Sequence, residues 1–295
     1  MADLTRRAPD AGWLARAPSG GLVIGGIASV QLGGAFAVHL FGWVGPSGAV
    51  VLRMVTAALV LLATSPPRLR GRALRGLPVA VVFGLVLAGM TLSFYNALHR
   101  VPLGIAVALE FVGPLTVAVA GSHRLVDLVW VALAVAGILA LTHGGAAPIS
   151  GLGVFFALLA GALWGCYILL SARVGRAFER GAGLTVALCV ASLVSLPVGV
   201  AAAGSHLLEP RSLALGAAVG ILSSAIPFSF EMEALRRMAA SLFGVLMSIE
   251  PAMAALAGFV VLGQQLSARA VLGIALVVAA SVGASVRSRR APTDI

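Results

Sequence analysis

Two acidic residues lie inside long apolar runs of the chain, and each has a proline close to it. Glu110 precedes Pro114 by four residues, which places both on one face of a helix, and Glu250 is followed directly by Pro251. A proline within a helix frees a backbone carbonyl one turn earlier and bends the helix. A carboxylate beside a freed carbonyl can bind an ammonium group, a proton or another cation. The alternative is a buried carboxylate that only packs two parts of the protein together.

Further polar and aromatic residues fall within the apolar runs and are candidates for the same site. Trp164, Tyr167 and Ser171 follow one another at spacings of three and four residues and therefore share a helix face. A small polar solute is bound well by hydrogen-bonding groups of this kind beside an aromatic wall. The remaining candidates for substrate contacts are Gln31, Ser223 and Ser224 inside apolar runs and, as rim or gate groups, Tyr95 and Asn96.

Charged residues at other positions have more than one interpretation. Arg53 lies seven residues into an apolar run, where it could bind a substrate carboxylate or pair with Glu110. Alternatively, its long side chain could extend to the lipid headgroups. Glu231 and Glu233, next to the arginine pair at 236–237, are expected to form a solvated cluster at the end of a helix.

The composition excludes a water-soluble protein. Of the 295 residues, 60% are hydrophobic and 10% are charged, and the mean hydropathy is +1.06. Soluble domains carry roughly 25% charged residues. The net charge of +10 comes from 20 basic residues, all of them arginine, which lie in short gaps between apolar runs. Because nucleic-acid binding needs a soluble basic face, we expect instead an integral membrane protein that contacts the lipid bilayer and no nucleic acid.

Ten apolar runs are each of the length, about 20 residues, that crosses a bilayer as a helix. The sequence therefore predicts an all-α integral membrane protein with ten transmembrane helices. The runs lie near 20–41, 47–65, 77–98, 103–121, 125–143, 151–172, 181–203, 212–235, 240–262 and 267–286.

The arginines predict which helix ends face the cytoplasm. With the N-terminus inside, cytoplasmic segments hold sixteen of the arginines, whereas the outer gaps hold Arg100, Arg211 and Arg269. Cytoplasmic loops of membrane proteins carry such an excess, so both termini are predicted to be cytoplasmic. As an alternative, Arg16, the apolar run 22–30 and Ala35-Phe36-Ala37 resemble a cleavable signal peptide, whose removal would leave nine spans.

Part of the chain repeats itself after a shift of 137 residues. Eight of the 25 positions in 97–121 are identical to those in 234–258, including the pairs Arg100/Arg237 and Pro114/Pro251. Two copies of five helices must have opposite orientations in the membrane, and such inverted repeats are typical of transporters. The predicted organisation is a cytoplasmic segment 1–19, a first five-helix repeat 20–143, a junction 144–150, a second repeat 151–286 and a cytoplasmic tail 287–295.

Several motifs are missing from the sequence. It contains no HExxH, P-loop or CxxC motif, and no gap between spans exceeds about a dozen residues. We therefore expect no enzyme activity, no metal, no cofactor and no ATP-binding domain, with transport driven by an ion gradient or running downhill. A membrane enzyme acting on lipid would need paired acid/base or metal-binding residues near the interface, and the sequence shows no convincing set of them. A channel agrees less well with an inverted repeat and mid-span prolines.

Two stretches resemble a known family. Residues 101–111, VPLGIAVALEF, with Gly113-Pro114-Leu115, resemble the fourth span of bacterial threonine/homoserine exporters, in the EamA branch of the drug/metabolite transporter superfamily. Residues 221–252, which include Ile221-Leu222-Ser223 and Glu250-Pro251-Ala252, resemble the same proteins. The resemblance extends over nearly all ten runs.

The resemblance implies two inverted five-helix halves in the bacterial inner membrane. They would export small neutral amino acids by alternating access, in exchange for protons. From the residues themselves, we expect Glu110 to hold the substrate ammonium group or the coupling proton, and Glu250 with the bend at Pro251 to form the opposite wall. The polar side chain of the substrate would contact Gln31, Tyr167 and Ser224, with Trp164 nearby.

The substrate and assembly stay open at this point. An exporter of another metabolite, such as a purine or a sulfur amino acid, or of a cationic drug is the alternative function. His39 stands where a lysine is common in the family, so the specificity could differ. The sequence does not predict the oligomeric state.

Overall fold

The computed structural model of the chain describes residues 17–67, 69–120, 127–142, 150–178, 181–235, 237–238 and 240–288. Within these ranges the regular structure is helical and contains no strand. A 3₁₀ turn, Gly204–Leu208, follows α7, and a π-helical turn, Ile221–Ala225, joins α8 to α9. The α-helices are α1 Ser19–Thr64, α2 Arg72–Leu98, α3 Leu103–Glu110, α4 Val112–Ala120, α5 Asp127–Thr142, α6 Gly151–Ala177, α7 Ala182–Ala203, α8 Pro210–Gly220, α9 Ile226–Leu235, α10 Ala240–Met247, α11 Glu250–Leu262 and α12 Ala268–Ser288.

The helices are apolar over membrane-spanning lengths, which confirms the prediction of an all-α membrane protein. By length and composition, five described stretches can cross a bilayer: Ser19–Thr64, Ala73–Leu98, Gly151–Ala177, Ala182–Leu208 and Leu242–Leu262. Three shorter helical stretches, Leu103–Val117, Val129–Leu141 and Ala268–Gly283, are also apolar.

Some sequence predictions concern residues outside the described ranges. They include most of the N-terminal segment 1–19, of the junction 144–150 and of the tail 287–295. The same holds for nine of the arginines used to orient the chain, Arg6, Arg7, Arg16, Arg68, Arg124, Arg180, Arg236, Arg289 and Arg290.

The chain reverses direction within α1, at Gly45. Gly45 has φ 66° and ψ 174°, which a residue with a side chain rarely adopts, and Pro46 follows it. We call residues 19–44 the first arm and residues 46–64 the second arm. Ser29 and Arg53, one on each arm, both donate hydrogen bonds to the carbonyls of adjacent residues at 222–223. A straight helix would separate these two residues by about 36 Å, so the arms lie side by side.

Two of the predicted spans are broken next to their prolines. Pro114 has no N–H to donate to the carbonyl of Glu110, and α3 ends at Glu110. In the same way, Pro251 has no N–H for the carbonyl of Met247, and α10 ends at Met247. The breaks therefore occur at positions 137 residues apart.

The turns that precede these broken spans also have the same geometry. The N–H groups of Arg100 and Val101 donate to the carbonyl of Ala97, at 2.8 and 2.9 Å. The N–H groups of Arg237 and Met238 donate to the carbonyl of Ala234, at 2.9 and 3.0 Å. Sequence positions that match under the 137-residue shift thus make matching backbone contacts.

Glycines bring the helix backbones together around the site. A Cβ built on Gly161 of α6 would lie 2.6 Å from the carbonyl oxygen of Glu110, and one built on Gly113 would collide with the carbonyl of Gly161. The helices α3, α4 and α6 therefore pack with almost no side chain between them. The carbonyl that Pro114 frees at Glu110 lies against this glycine.

Candidate functional site

A cavity of about 650 Å³ lies between the helices. Sites for small molecules commonly have volumes in this range. Residues from α1, α2, α3, α4, α6, α7, α9, α10, α11, α12 and the π-helical turn line it, so both halves of the sequence contribute. Its polar lining consists of Gln31, Arg53, Thr91, Glu110, Trp164, Tyr167, Ser171, Ser223, Ser224, Glu231, Glu250 and Ser281.

Glu250 is held by an amide from the first arm. Its Oε1 accepts a hydrogen bond from Nε2 of Gln31 at 3.0 Å, and both residues are buried. Its Oε2 is enclosed by protein and has no hydrogen-bond partner. The start of α11, after the break before Pro251, sets this carboxyl group at the cavity wall.

Glu110 also lines the cavity, but its carboxyl group makes none of the described hydrogen bonds or ion pairs. It is the last residue of α3, and its side chain is 8% exposed. The close contact of its backbone with Gly161 fixes the position of the Glu110 main chain, from which the side chain extends. A buried carboxyl group without a protein partner is costly unless a proton, a ligand or a water molecule satisfies it.

Arg53 extends into the cavity from the second arm. Its guanidinium donates to the hydroxyl of Tyr95 at 3.4 Å and to the carbonyl of Ser223 at 3.3 Å, and it lies over the Tyr95 ring. Its Nε is buried without a partner. The expected pairing with Glu110 is not formed within 4.0 Å, and Arg53 faces inward rather than only toward lipid headgroups.

The π-helical turn at 221–225 connects both arms of α1 to the site. A π-turn displaces backbone groups from the regular helix pattern and occurs frequently at functional sites. Ser29 donates to the carbonyl of Leu222 at 2.7 Å, while Arg53 donates to the carbonyl of Ser223. The hydroxyl of Ser223 itself is buried without a partner and lies against Gly33.

Two aromatic residues of α6 form one wall of the cavity, each held by a second ring. Trp164 contacts Phe111 edge to face, with ring centroids 5.3 Å apart. Tyr167 stacks on Phe83 at 4.7 Å. Ser171, the third residue of this face, donates to the carbonyl of Ile168 and therefore offers the cavity only acceptor capacity.

The structure brings most of the predicted site residues together and leaves three outside the cavity lining. Tyr95 is fully buried behind Arg53, and its hydroxyl accepts a hydrogen bond from the guanidinium instead of facing the cavity. Asn96 donates to the carbonyl of Leu92 and accepts from Arg100, so its amide is used locally. Pro251, the third of them, is buried beside Glu250 but does not itself line the cavity. His39, where relatives commonly have a lysine, is exposed and also lies outside the lining.

One prediction for the acidic pair at 231 and 233 is wrong. Glu233 does form an ion pair with Arg237. Glu231, however, lines the cavity instead of joining that cluster. Residues two positions apart point to different sides of a helix, so the pair cannot share one environment. The sequence prediction assigned both residues to one cluster because arginines follow them closely in sequence. It did not take into account that their side chains point in different directions.

Ser281 is a further lining residue that sequence reasoning missed. Its hydroxyl is 2.7 Å from the hydroxyl of Ser248, in the break between α10 and α11. This contact ties α12 to the broken span beside Glu250. A single serine in an apolar helix carries no sequence signal of its own, and only its pairing with the break identifies it.

Comparisons with known proteins agree with these features. The model of the EamA-like transporter family matches residues 151–286. The threonine/homoserine exporter RhtA of Salmonella typhimurium (strain SL1344) is 42% identical over 270 residues, which are 90% of this chain and 90% of that protein. RhtA of Escherichia coli (strain K12) is 42% identical over 268 residues, with the same shares.

A solved crystal structure has the same fold. It superimposes with a TM-score of 0.58 over 92% of this chain and 98% of its own, at 19% identity. The relatives are transporters rather than enzymes, and they confirm the family resemblance expected from the sequence. With this similarity over nine-tenths of its length, the chain belongs to the EamA-like transporter family.

Proposed function

We propose that this protein exports threonine, homoserine or closely similar amino acids from bacterial cells, as an alternating-access carrier in the inner membrane. The observation that carries this function is one cavity lined by both a guanidinium, Arg53, and carboxyl groups, Glu110 and Glu250. The names of the relatives at 42% identity support the substrate class.

The cavity matches the chemistry of a zwitterionic amino acid. Arg53 suits the substrate carboxylate, because its side chain lines the cavity and guanidinium groups bind carboxylates well. Glu110 or Glu250 would accept the ammonium group. The substrate hydroxyl would contact Ser224, Tyr167 or Gln31, and Trp164 would close the wall. Tyr95 has a positioning role, since it holds Arg53.

The excess of carboxyl groups supports proton coupling. Three acidic residues, Glu110, Glu231 and Glu250, and one basic residue, Arg53, line the cavity. Uncompensated charge inside a membrane protein is expensive, and a zwitterion adds no net charge. Proton uptake by one of these carboxyl groups would therefore balance the site.

We further propose ten spans arranged as two inverted repeats, 20–143 and 151–286, joined at 144–150. The matched turns and the matched proline breaks support this arrangement. So does the packing, because α4 packs on α6 as α11 packs on α1, and α5 packs on α12. The arginine distribution supports cytoplasmic termini, with segments 1–19 and 287–295 inside.

Uptake of labelled threonine and homoserine into inside-out vesicles tests the function. With the lumen acidified, we expect uptake that a protonophore abolishes and that vesicles lacking the protein do not show. Uptake that is unaffected by the protonophore would contradict proton coupling. Absence of uptake, with the protein folded and inserted, would contradict the substrate.

A second candidate function is export of a cationic compound by the same cavity. The three carboxyl groups favour it, because each can face a positive charge. Competition by excess unlabelled amines in the same vesicles distinguishes the two functions. Inhibition by amines without threonine uptake would favour the cationic substrate.

A further inference from the structure

We propose that the two central carboxyl groups have separate tasks: Glu250 carries the exchanged proton, and Glu110 binds the ammonium group of the substrate. This inference rests on the proposed amino-acid export and deepens it, because it assigns each step of the exchange to one residue. It replaces a single dual-purpose carboxylate by two specialised ones.

The surroundings of Glu250 suit a proton and not a bulky cation. Its Oε1 accepts from Nε2 of Gln31 at 3.0 Å, and Gln31 is 2% exposed. Its Oε2 is enclosed by protein and has no hydrogen-bond partner. An enclosed anionic oxygen without a donor is strongly disfavoured, whereas a bound proton removes the charge within the space available.

The surroundings of Glu110 suit a ligand. No described residue donates to its carboxyl group, although it lies at the wall of a cavity large enough for an amino acid. The contact of its backbone with Gly161 and the end of α3 hold it in place. A carboxylate that is fixed in position and open on its cavity side can accept an ammonium group without first breaking a protein contact.

The other charged and titratable groups around Glu250 either form contacts with other residues or line the cavity. From α1, Arg53 is tied to Tyr95 and to the carbonyl of Ser223. From α9 and α6, Glu231 and Tyr167 line the cavity, and from α3 Glu110 does so. The polar contact that α12 makes near the α11 break is the Ser248–Ser281 pair, which carries no charge.

The exchange then accounts for every proton, and each cycle moves one positive charge inward as one zwitterion moves outward. When Glu250 releases its proton to cytoplasmic water, its O–H bond breaks and one negative charge appears beside the cavity. The substrate ammonium group enters at Glu110 and its carboxylate at Arg53. After the cavity opens to the other side, a proton from that side binds to Glu250 as the substrate leaves. No covalent bond to carbon changes.

Two transport assays with purified protein in liposomes distinguish substrate binding from proton exchange. Threonine/threonine exchange at equal pH on both sides needs substrate binding but no net proton movement, whereas accumulation driven by a pH gradient needs both. We expect Glu250→Gln to keep exchange, because the substrate binds at Glu110 and Arg53 and the amide still offers an oxygen to Gln31. We expect it to lose gradient-driven accumulation. Glu110→Gln should raise the threonine Kd about tenfold or more and lower both activities.

Glu209→Gln is the matched control. Glu209 is exposed, and its partner is His206, away from the cavity. The same loss of one carboxylate there should leave both activities unchanged. Glu250→Asp keeps a carboxyl group and should retain gradient-driven accumulation with a shifted pH profile, which tests the proton task even if Glu250→Gln is not recovered in folded form.

Three results would overturn the assignment. They are full gradient-driven accumulation by Glu250→Gln, loss of exchange in Glu250→Gln to the level of Glu110→Gln, and unchanged threonine binding by Glu110→Gln. If the wild-type protein exchanges threonine while any of these occurs, the division of tasks is wrong and the proposed function stands. If the folded wild-type protein exchanges no threonine, both are wrong.

Discussion

The side-chain oxygen of Gln264 accepts a hydrogen bond from the backbone N–H of Leu103 at 3.0 Å. Leu103 begins α3, whose first N–H groups have no partner inside the helix. Gln264 lies in the loop after α11, and a Cβ built on Gly258 would lie 2.7 Å from its oxygen. The second half of the chain thus caps a helix of the first half, next to the turn that contains Arg100.

We expect loss of this hydrogen bond to favour opening of the cavity toward the side of the membrane where α3 begins. Gln264→Ala removes a hydrogen bond of about 1 kcal/mol, which corresponds to roughly a fivefold shift between closed and open states. The test uses Ser224→Cys in a background with Cys166 and Cys189 replaced by alanine. A membrane-impermeant thiol reagent, added on the side of the membrane where α3 begins, should react with this cysteine faster when Gln264→Ala is also present. Gln264→Glu keeps an acceptor and should restore the slow rate. Equal rates for Gln264→Ala and Gln264→Glu would contradict this role of the hydrogen bond between Gln264 and Leu103.

A methyl group at Gly161 should disturb the Glu110 side of the site. Its Cβ would lie 2.6 Å from the carbonyl oxygen of Glu110, so we expect Gly161→Ala to destabilise the protein by about 1–3 kcal/mol. Thermal unfolding in detergent and threonine binding measure the two effects. Gly175→Ala is the control on the same helix, since nothing lies within 4 Å of the added group. A Gly161→Ala protein as stable as Gly175→Ala would disprove the close contact.

The proposed role of Arg53 depends on the substrate carboxylate. Arg53→Gln should weaken threonine binding about tenfold or more, because a charge-assisted hydrogen bond is lost. Binding of threonine amide, which lacks the carboxylate, should change little between wild type and variant. Arg100→Gln alters an arginine outside the cavity lining, bound to Asn96, and should leave both affinities unchanged. An equal loss of affinity for threonine and its amide would show that Arg53 only supports the structure.

Ser29 should stabilise the π-helical turn. Ser29→Ala removes the bond to the carbonyl of Leu222 and is expected to lower the free energy of unfolding by about 1 kcal/mol. It should also reduce transport, because Ser223 and the anchor of Arg53 lie in the same turn. Thr64→Ala removes a comparable hydroxyl-to-carbonyl bond at the exposed end of α1 and should affect only local stability. Transport that falls equally in both variants would contradict a specific role for the turn.

Much of the fold follows from local sequence features. Runs of apolar residues predict the helices, and proline chemistry explains why α3 ends at Glu110 and α10 at Met247. The reversal at Gly45 coincides with a Gly-Pro pair between two predicted spans. The π-helical turn could not be predicted in this way, because contacts from both arms of α1 hold it.

The site was less predictable than the fold, for reasons visible in single residues. Asn96 is polar and near a helix end, yet its amide bonds one turn back along its own helix, which competes with any ligand. Glu231 stands beside basic residues in sequence but points to the cavity. Gln264 occupies a loop, where polarity is ordinary, and only the packing of α3 against α11 gives it a partner.

Gly137 of α5 and Gly273 of α12 lie with their backbones in contact. A Cβ built on either would lie 2.9 Å from the carbonyl oxygen of the other, and the two positions differ from the repeat shift by one residue. In the proposed inverted repeat α5 and α12 are copies of each other, so this reciprocal contact would lie close to the two-fold axis that relates the halves. In the proposed inverted repeat, points on that axis move least when the halves exchange shapes. We therefore expect the Gly137–Gly273 contact to stay fixed during the proposed transport cycle, so that a covalent link between α5 and α12 there would leave transport intact.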